Sequence, residues 1–579
     1  MHKDSRELAK PGFLMLRLVW QAHLCRLAGV TQNVMAEIIE MKKVSIRSVL
    51  LALILVAALS GQGLYAQANR FIRLQDPVYS DIQYLQHQGY LKELHPTALP
   101  YRHKEVRRAY RQARKRSTGK RLSYEESSAL KRIERYLEQT GSLHSAESGK
   151  TSDKRNVAAG WKAEIGLRAA NSERLDVLRP LGEESIWPNA RLGGYLEYEQ
   201  WIARANLSFD YYYDTDPDGL DRARRLYTRS EESYLGFNSD FVSLYAGRFT
   251  QHWAPYESEG VMLTGNPGAM DQLSLRLGTD KLALRFILAE LDNLAPDGTF
   301  TSTQDRFEEG SIRRYLYLHR FDWKPNNQLM ISLVEGVLYS AEHAGPSLTY
   351  ANPLHIAGFV TDNTPKNYEN NLILGGIFWG YWNGWTLEGQ LMLDDLSYRN
   401  RSFFKERDDL EPVSMAATGS LTNSRLIAPY TLTLSMEMAS SQAYRTDQTE
   451  GQWSYAQRGL ATNFSDYLKL QLSARWQAHQ LYTGLTVKPK LDWLYQGEGD
   501  LRLPLDTSSG PVLGIGTPEQ TLRPGVELLY QSRDNYWLRL DWGLSHVRNN
   551  GHISGNDDWQ MIGLIEAGFA IGGRSTLDL

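Results

Sequence analysis

The chain has 579 residues, with 64 Lys+Arg against 67 Asp+Glu and a formal charge of −3, a balance that gives no electrostatic footprint for nucleic acid. Hydrophobic residues at 42 % and charged residues at 23 % exclude a disordered chain. A mean hydropathy of −0.45 excludes a helical membrane protein of many spans, whereas 32 Tyr, 15 Trp and 47 Gly suit strands and a membrane–water interface.

The first element in chain order is an export signal. Met41-Lys42-Lys43 and Arg47 form a basic start, and Val49 to Leu59 is an apolar run of 11 residues. Spanning a bilayer takes about 20 such residues, so the run is too short for an anchor. Ala66-Gln67-Ala68 fits a small-residue cleavage site. Residues 41–68 are therefore read as a cleaved signal peptide, Met41 as the natural start, and 1–40 as an upstream extension without a role. The single cysteine, Cys25, falls in that extension. The exported chain then carries no disulfide, Cys metal site, thiol nucleophile or lipoprotein anchor.

Residues 69–145 read as a small helical module. Asp76-Pro77 marks a helix start and Gly89 its stop. A second helix, near 104–115, has a narrow stripe of Val106, Ala109, Tyr110 and Ala113. Ser123 with Glu126 forms a capping box for a third, ending at Gly141. The stretch 102–121 holds ten Lys/Arg against Glu105. In an exported protein its face of Arg107, Arg108, Arg111 and Arg114 suits an anionic glycan or lipid headgroups; the plainer alternative is a solvated face, or pairing with acids inside a barrel. Residues 146–156 read as a linker.

From Val157 the period changes to two. In 157–169, Val157, Ala159, Trp161, Ala163, Ile165 and Leu167 alternate with residues that include Lys162, Glu164 and Arg168. The segments 203–214, 385–394, 430–438, 467–475, 480–488, 536–545 and 559–571 behave alike. Strands of this length, near the 9–11 residues of a membrane strand, favour a barrel over a sandwich. Aromatics near strand ends (Tyr211, Tyr213, Trp385, Trp559) and mid-strand charges (Arg285, Glu388, Arg539) agree, with the polar face expected to meet a wet lumen. At about 23 residues per strand and connection, 157–579 holds roughly 18 strands. Clusters at 215–221, 293–311, 362–370, 399–425 and 548–557 read as turns or loops, the longer ones extracellular. The last strand is expected to stop near Ile571, before Gly572-Gly573 and a polar tail. The fold class is thus mainly β: a transmembrane antiparallel barrel with a periplasmic helical module.

Gly247 to Leu275 (GRFTQHWAPYESEGVMLTGNPGAMDQLSL) resembles the capsule assembly Wzi family at Gly247, Arg248, Trp253, Pro255, Leu263 and Asn266, with Ala254 where a Gly is usual. Tyr315 to Asp395 is also similar: RYLYLHR and VEGVLY strands, Asn352-Pro353, Asn370-Asn371-Leu372 and Leu393-Asp394-Asp395. Pro100-Tyr101-Arg102 looks like the family's helical start. The resemblance implies an 18-stranded outer-membrane barrel blocked at its periplasmic end by helices. It also implies a lectin-like, non-enzymatic role in attaching or assembling capsular polysaccharide.

Arg248, Gln251, His252 and Trp253 bring a cation, an amide, an imidazole and a ring together, the groups that bind sugars by hydrogen bonding and stacking. Their alternatives are interface anchoring for Trp253 and a lumenal ion pair for Arg248. The neighbouring carboxylates Glu183-Glu184 and Asp394-Asp395 would point to opposite faces of a strand and make no acid–base dyad. No nucleophile-elbow, zincin, P-loop or dinucleotide motif occurs, and the thirteen His show no metal-ligand spacing. Neither catalytic residue, metal nor cofactor is expected. The expected partners are surface polysaccharide (capsule), outer-membrane lipids and the barrel-assembly machinery, with no nucleic acid. The competing reading is a porin for solutes or oligosaccharides.

Overall fold

The computed structural model describes residues 68–119, 121–141, 156–219, 228–295, 299, 310–342, 345–357, 370–394, 414–446, 448–478, 481–503, 512–532 and 535–578. The upstream extension, the expected export signal up to residue 67, the last residues of the expected helical module (142–145) and the expected linker at 146–156 apart from Asn156 lie outside them.

Three helices come first: α1 (Val78–His87), α2 (His103–Ser117) and α3 (Tyr124–Gln139). The Asp76 carboxylate accepts the Val78 N–H at 3.2 Å. At α3 the Glu126 N–H donates to Ser123 Oγ (3.0 Å) and the Ser123 N–H to Glu126 Oε2 (2.8 Å), which satisfies two orphan donors at once. Gly141, at φ +64°, follows its end. The three helices share one apolar core that includes Ile82, Leu85, Val106, Ala109, Leu130 and Ile133.

Eighteen antiparallel strands follow. They are β1 (Asn156–Ala170), β2 (Ser185–Tyr198), β3 (Trp201–Asp210), β4 (Thr228–Ser230 and Ser233–Asn238, both on β3), β5 (Val242–Phe249), β6 (Met270–Gly278), β7 (Leu282–Glu290), β8 (Ile312–Asn326) and β9 (Leu329–Glu342). The second half is β10 (Asn370–Trp382), β11 (Trp385–Asp394), β12 (Ser414–Ile427), β13 (Tyr430–Ala439), β14 (Tyr467–Gln477), β15 (Leu485–Gln496), β16 (Glu519–Gln531), β17 (Tyr536–Arg548) and β18 (Asp558–Asp578). Each pairs with the next, and β18 returns to β1 in register from Asn156↔Asp578 to Ala170↔Leu564, which closes the barrel. One face of each strand turns outward with exposed apolar side chains, such as Ile165, Trp323, Leu333, Leu538 and Met561. Such a band suits lipid and not water. No described helix is long and apolar enough to cross a membrane, which says nothing about strands.

Joins at one end are short, as at Glu199-Gln200 and Asn383-Gly384, and long at the other. The helices fill the short-turn end, tied to inward side chains around the circumference. Arg70 pairs with Glu197 of β2 at 2.8 Å, and Arg102 donates to Ser243 of β5 at 2.8 Å. Arg320 of β8 donates to Thr97 O at 2.6 Å, and Lys324 to the carbonyls of Lys92, Glu93 and Leu94. Ser424 of β12 donates to His87 O, and Gln531 of β16 to Pro77 O.

Two connections from the long-loop end turn inward, and the first of them meets this module. The segment 250–269 forms an antiparallel bridge between His252 and Leu99, then stacks Tyr256 on Tyr79. The segment 440–466 packs on it: the Trp453 indole donates to Met262 O at 2.9 Å, and Asn266 donates to Gly459 O and Asn463 Oδ1. Much of the lumen face of β7 to β10 therefore does not meet water. Leu316, Leu318, Met330, Val334, Ile373 and Trp379 form a dry core with Trp253, Met262, Leu263 and Trp453.

Several sequence boundaries shift. The alternation through Tyr211 and Tyr213 stops at Asp210, whose carboxylate accepts the Tyr212 N–H (3.2 Å) and starts a helical turn at Tyr212–Thr215. The strand expected at 480–488 runs Leu485–Gln496, and Ser414–Ile427 is strand where a loop was expected. The last strand passes through Gly572-Gly573 to Asp578. Those glycines do not end it; a Cβ on either would meet Trp161 of β1, at 2.8 and 2.7 Å, so they make room for that residue in the seam.

Candidate functional site

Opposite the dry core the lumen holds a polar cavity of about 620 Å³, bounded by the helical module, the segment 250–269 and the inner faces of β1, β2 and β11 to β18. Alternate residues supply its lining, as in Lys469, Gln471, Ser473 and Arg475 of β14, or Lys488 and Lys490 of β15. Its charges are mutually paired. Arg73 binds Glu164 at 3.0 Å, and Lys469 binds Glu437 at 3.0 Å. Arg539 reaches Glu527 (3.0 Å) and Glu566 (3.3 Å), and Arg168 reaches Glu566 (3.1 Å) and Asp210 (2.9 Å). Glu257, from the inward segment, receives Arg475 and Lys488 (3.0 Å from Lys488) and so joins that segment to the wall.

The titration of the inward segment follows from this placement. Burial would raise Glu257, but Arg475 and Lys488 outweigh it and hold the carboxyl well below the usual range. Glu259 opens on the cavity and is exposed to it. Partial desolvation in that recess, with the Glu437 carboxylate nearby, pushes it up to about 7. Burial lowers His252 to about 4. In the helical module, burial also takes His95 and His103 well below the ordinary histidine value.

The four residues singled out for sugar contact are spread along the entry of the inward segment and are all engaged. Arg248 pairs with Asp271 (2.7 Å) and Tyr455 OH (3.2 Å), and Gln251 donates to Ser274 Oγ (3.3 Å). His252 Nδ1 accepts the Gly265 N–H at 3.2 Å. Trp253 is 2 % exposed, inside the dry core, with the Arg320 guanidinium 5.3 Å above its ring. It presents no open face to a sugar, and it anchors the segment, not an interface. On α2, Arg108 pairs with Asp280 of the β6–β7 turn (2.8 Å). Arg107 is buried, Arg111 is half-buried and Arg114 is exposed.

Glu164 and Arg539 were expected to face a lumen, but their partners Glu257, Arg475 and Lys488 were missed. The signal that marks Arg475 and Lys488 is a charge or amide at every second position of consecutive late strands, whereas Glu257 lies in a connection, where no period marks it. The chemistry open to this lining is hydrogen bonding to hydroxyls, from Ser420, Thr422, Thr433 and Ser473 as well as from the charged groups. One cluster has the parts of a hydrolytic triad: Ser420 donates to Glu388 Oε2 at 2.8 Å, and His87 lies 3.8 Å from Glu388 Oε1. The order is wrong, since the acid stands between hydroxyl and imidazole and no base faces the serine. Asp394 is buried and accepts from Ser414 Oγ and the Tyr444 N–H. Among the described residues no group of three or more His, Cys, Asp or Glu is placed to hold a metal ion.

A closed, membrane-faced antiparallel barrel with 18 strands and an occupied lumen defines the class: this is the fold of outer-membrane β-barrels. Within it, the chain is similar in fold to Wzi of Escherichia coli. That protein is described as a carbohydrate-binding outer-membrane barrel involved in group 1 capsule assembly. The likeness has 11 % identity and a TM-score of 0.55, over 87 % of this chain and 99 % of that one. More distant matches are Pseudomonas aeruginosa OccD3 (12 % identity, 72 % of this chain and 91 % of that one, TM-score 0.41) and Acinetobacter baumannii OccAB4 (8 %, 72 % and 99 %, 0.40). Neither a protein-family model nor a curated protein matches the sequence.

Proposed function

We propose that this is an exported outer-membrane protein that binds surface polysaccharide and helps hold or assemble it at the cell surface, without catalysing a reaction. The observation that carries the reading is the double occupation of the lumen: helices at the short-turn end and the segments 250–269 and 440–466 behind them. Such a barrel is a rigid platform and not a conduit. In this reading the helices face the periplasm, the long loops face outward, and the barrel-assembly machinery inserts the chain after removal of the signal at 41–68. The likeness to a carbohydrate-binding barrel supports glycan as the ligand. Arg248, partly exposed near the long-loop end of β5, remains the candidate for direct contact, whereas Gln251 lines a small cavity against the helical module and, with His252 and Trp253, holds the segment beneath it. The exposed part of the α2 basic face, Arg108 and Arg114, would meet anionic groups on the periplasmic side.

The test pairs two measurements. Deleting the gene should release surface glycan into the medium, and restoring the full chain should retain it. In a planar bilayer the full chain should pass no stable current, and a chain lacking residues 69–141 should. Unchanged surface glycan in the null strain would overturn the binding role. Steady currents through the full chain would point instead to a solute channel.

A further inference from the structure

One part of the outer wall does not look like the rest. On β8 the even positions face inward, since Arg314 binds the carbonyls of Gln452 and Ser454, and Arg320 binds Thr97. The odd positions face out, and Phe321 and Trp323 are exposed to the surroundings as lipid-facing residues should be. Tyr315, Tyr317 and His319 share that outward parity, yet all three are buried. The neighbouring strands repeat the pattern. Leu333 is exposed on β9, while Glu335, Val337 and Tyr339 on the same face are buried; Leu282 is exposed on β7, while Phe286 is buried.

The cover is the chain's own segment 345–357, from the β9–β10 connection. Its Tyr350 packs 5.7 Å from the rings of both Tyr317 and Tyr339, and Ala357 joins the same cluster. The Tyr317 hydroxyl accepts the Ser347 N–H at 2.5 Å. Beneath it lies an ionisable pair: His319 Nδ1 is 3.2 Å from Glu335 Oε2, and His319 Nε2 is 3.1 Å from Tyr350 O. A His–Glu pair facing hydrocarbon is costly without such a cover. The opposite side of the segment is mainly apolar: Leu348 is 87 % exposed, Leu354 80 % and Ile356 56 %, while the exposed His355 turns its Nδ1 back to Thr349 O at 3.3 Å.

We infer that the segment 345–357 is a membrane strap, folded over the outer wall of β7 to β9. Its Leu348, Leu354 and Ile356 contact the acyl chains of the bilayer. Two observations select lipid over other occupants. The strap continues the apolar band marked by Leu282, Phe321, Trp323 and Leu333 on the strands it crosses, and its inner side is committed to shielding the only described outward His–Glu pair. The inference rests on the barrel being in a bilayer and not on glycan binding.

Single cysteines test it in the full chain on a Cys25→Ser background. Leu348→Cys and Leu354→Cys carry an NBD label in proteoliposomes of phosphatidylcholine with or without a doxyl group on the acyl chain. Leu333→Cys reports the strand's lipid face, and Asn556→Cys an exposed loop. The expected result is a blue-shifted emission at 348 and 354, with a quenched fraction matching that at 333, and no quenching at 556. Quenching at 333 but not at 348 and 354 would overturn the strap alone. If disulfide-linked dimers then form through Leu348→Cys, a second copy is the occupant instead. No quenching at 333 would overturn the membrane placement of the barrel and the strap with it. Because a cysteine could disturb the strap locally, Tyr350→Ala provides a second readout: with its packing on Tyr317 and Tyr339 gone, labels at 348 and 354 should lose their match to 333. Retention of that match would show that the wall does not hold the segment, and would overturn the inference.

Discussion

The two halves of the lumen use the same strand period for opposite ends. Midway along β8 to β10 the inward Leu316, Leu318, Met330, Val334, Ile373 and Trp379 bury Trp253 and Trp453 in a dry core, and the inward Arg314 and Arg320 beside them are bonded to the plug. Along β14 to β18 the inward positions include Lys, Arg, Glu and Asp, paired across a cavity. The first half gains from removing apolar surface from water, a term that is large and tolerates no voids. The second relies on ion pairs that desolvation nearly cancels, so it holds position and supplies less stability. One half fixes the plug, and the other leaves a wet face beside it.

The sharpest break in this contrast is Trp453→Ala. It removes a fully buried indole and its bond to Met262 O, and should lower the urea-unfolding free energy of the refolded barrel by about 3–5 kcal/mol. Gly336→Ala comes next. Its Cβ would lie 2.6 Å from Trp453 and 2.9 Å from Leu318, and an overpacking cost of about 1–3 kcal/mol should appear in the same titration.

On the polar side, Glu257→Gln should cost only about 1–2 kcal/mol at pH 7, because the carboxylate opens on the cavity and water screens the two cations it leaves. The folded-state pKa of Glu257 is strongly depressed, so its contribution is fully present above the unfolded value of 4.5 and is lost only as pH falls through the folded value. Wild type and variant should therefore still differ at about pH 4 and converge only in strong acid, in the same urea midpoints. The smallest effect has the opposite sign. Glu259 titrates near 7 when folded against 4.5 unfolded, so its contribution is fully present below pH 4.5 and lost as pH rises through 7. Glu259→Gln should leave the melting temperature unchanged at about pH 4 and raise it by a degree or so at about pH 8.5.

Much of the fold could be read from the residues because local rules and the global architecture agree. The Ser123 and Glu126 pair marks its helix start by its own hydrogen bonds, and the period of two marks strands wherever one face is apolar. The lumen was less legible for a physical reason. Alternation distinguishes two faces but does not say what each one meets, so the mid-strand Arg285, Glu388 and Arg539 pointed to a lumen while Leu316, Leu318, Met330 and Val334 on β8 and β9 gave no hint of the segments that pack on them. Trp253 looked like a rim aromatic because its neighbours Arg248 and Gln251 are polar. Only the bridge between His252 and Leu99, 153 positions apart in sequence, shows that the chain has turned inward. The outward Tyr317 and His319 likewise became intelligible once Tyr350 was seen to cover them.

The seam between β1 and β18 has a kinetic consequence. It joins Asn156 to Asp578 and runs through fifteen paired positions, the longest pairing in the wall together with one of the greatest sequence separations. Contacts this distant in sequence form late, because the entropy of closing so large a loop has to be met before they contribute anything. Ring closure should therefore be the last and slowest event of assembly, with an open, curled sheet as its precursor. The fit of Trp161 against Gly572 and Gly573 would then set whether that final zipper finds its register.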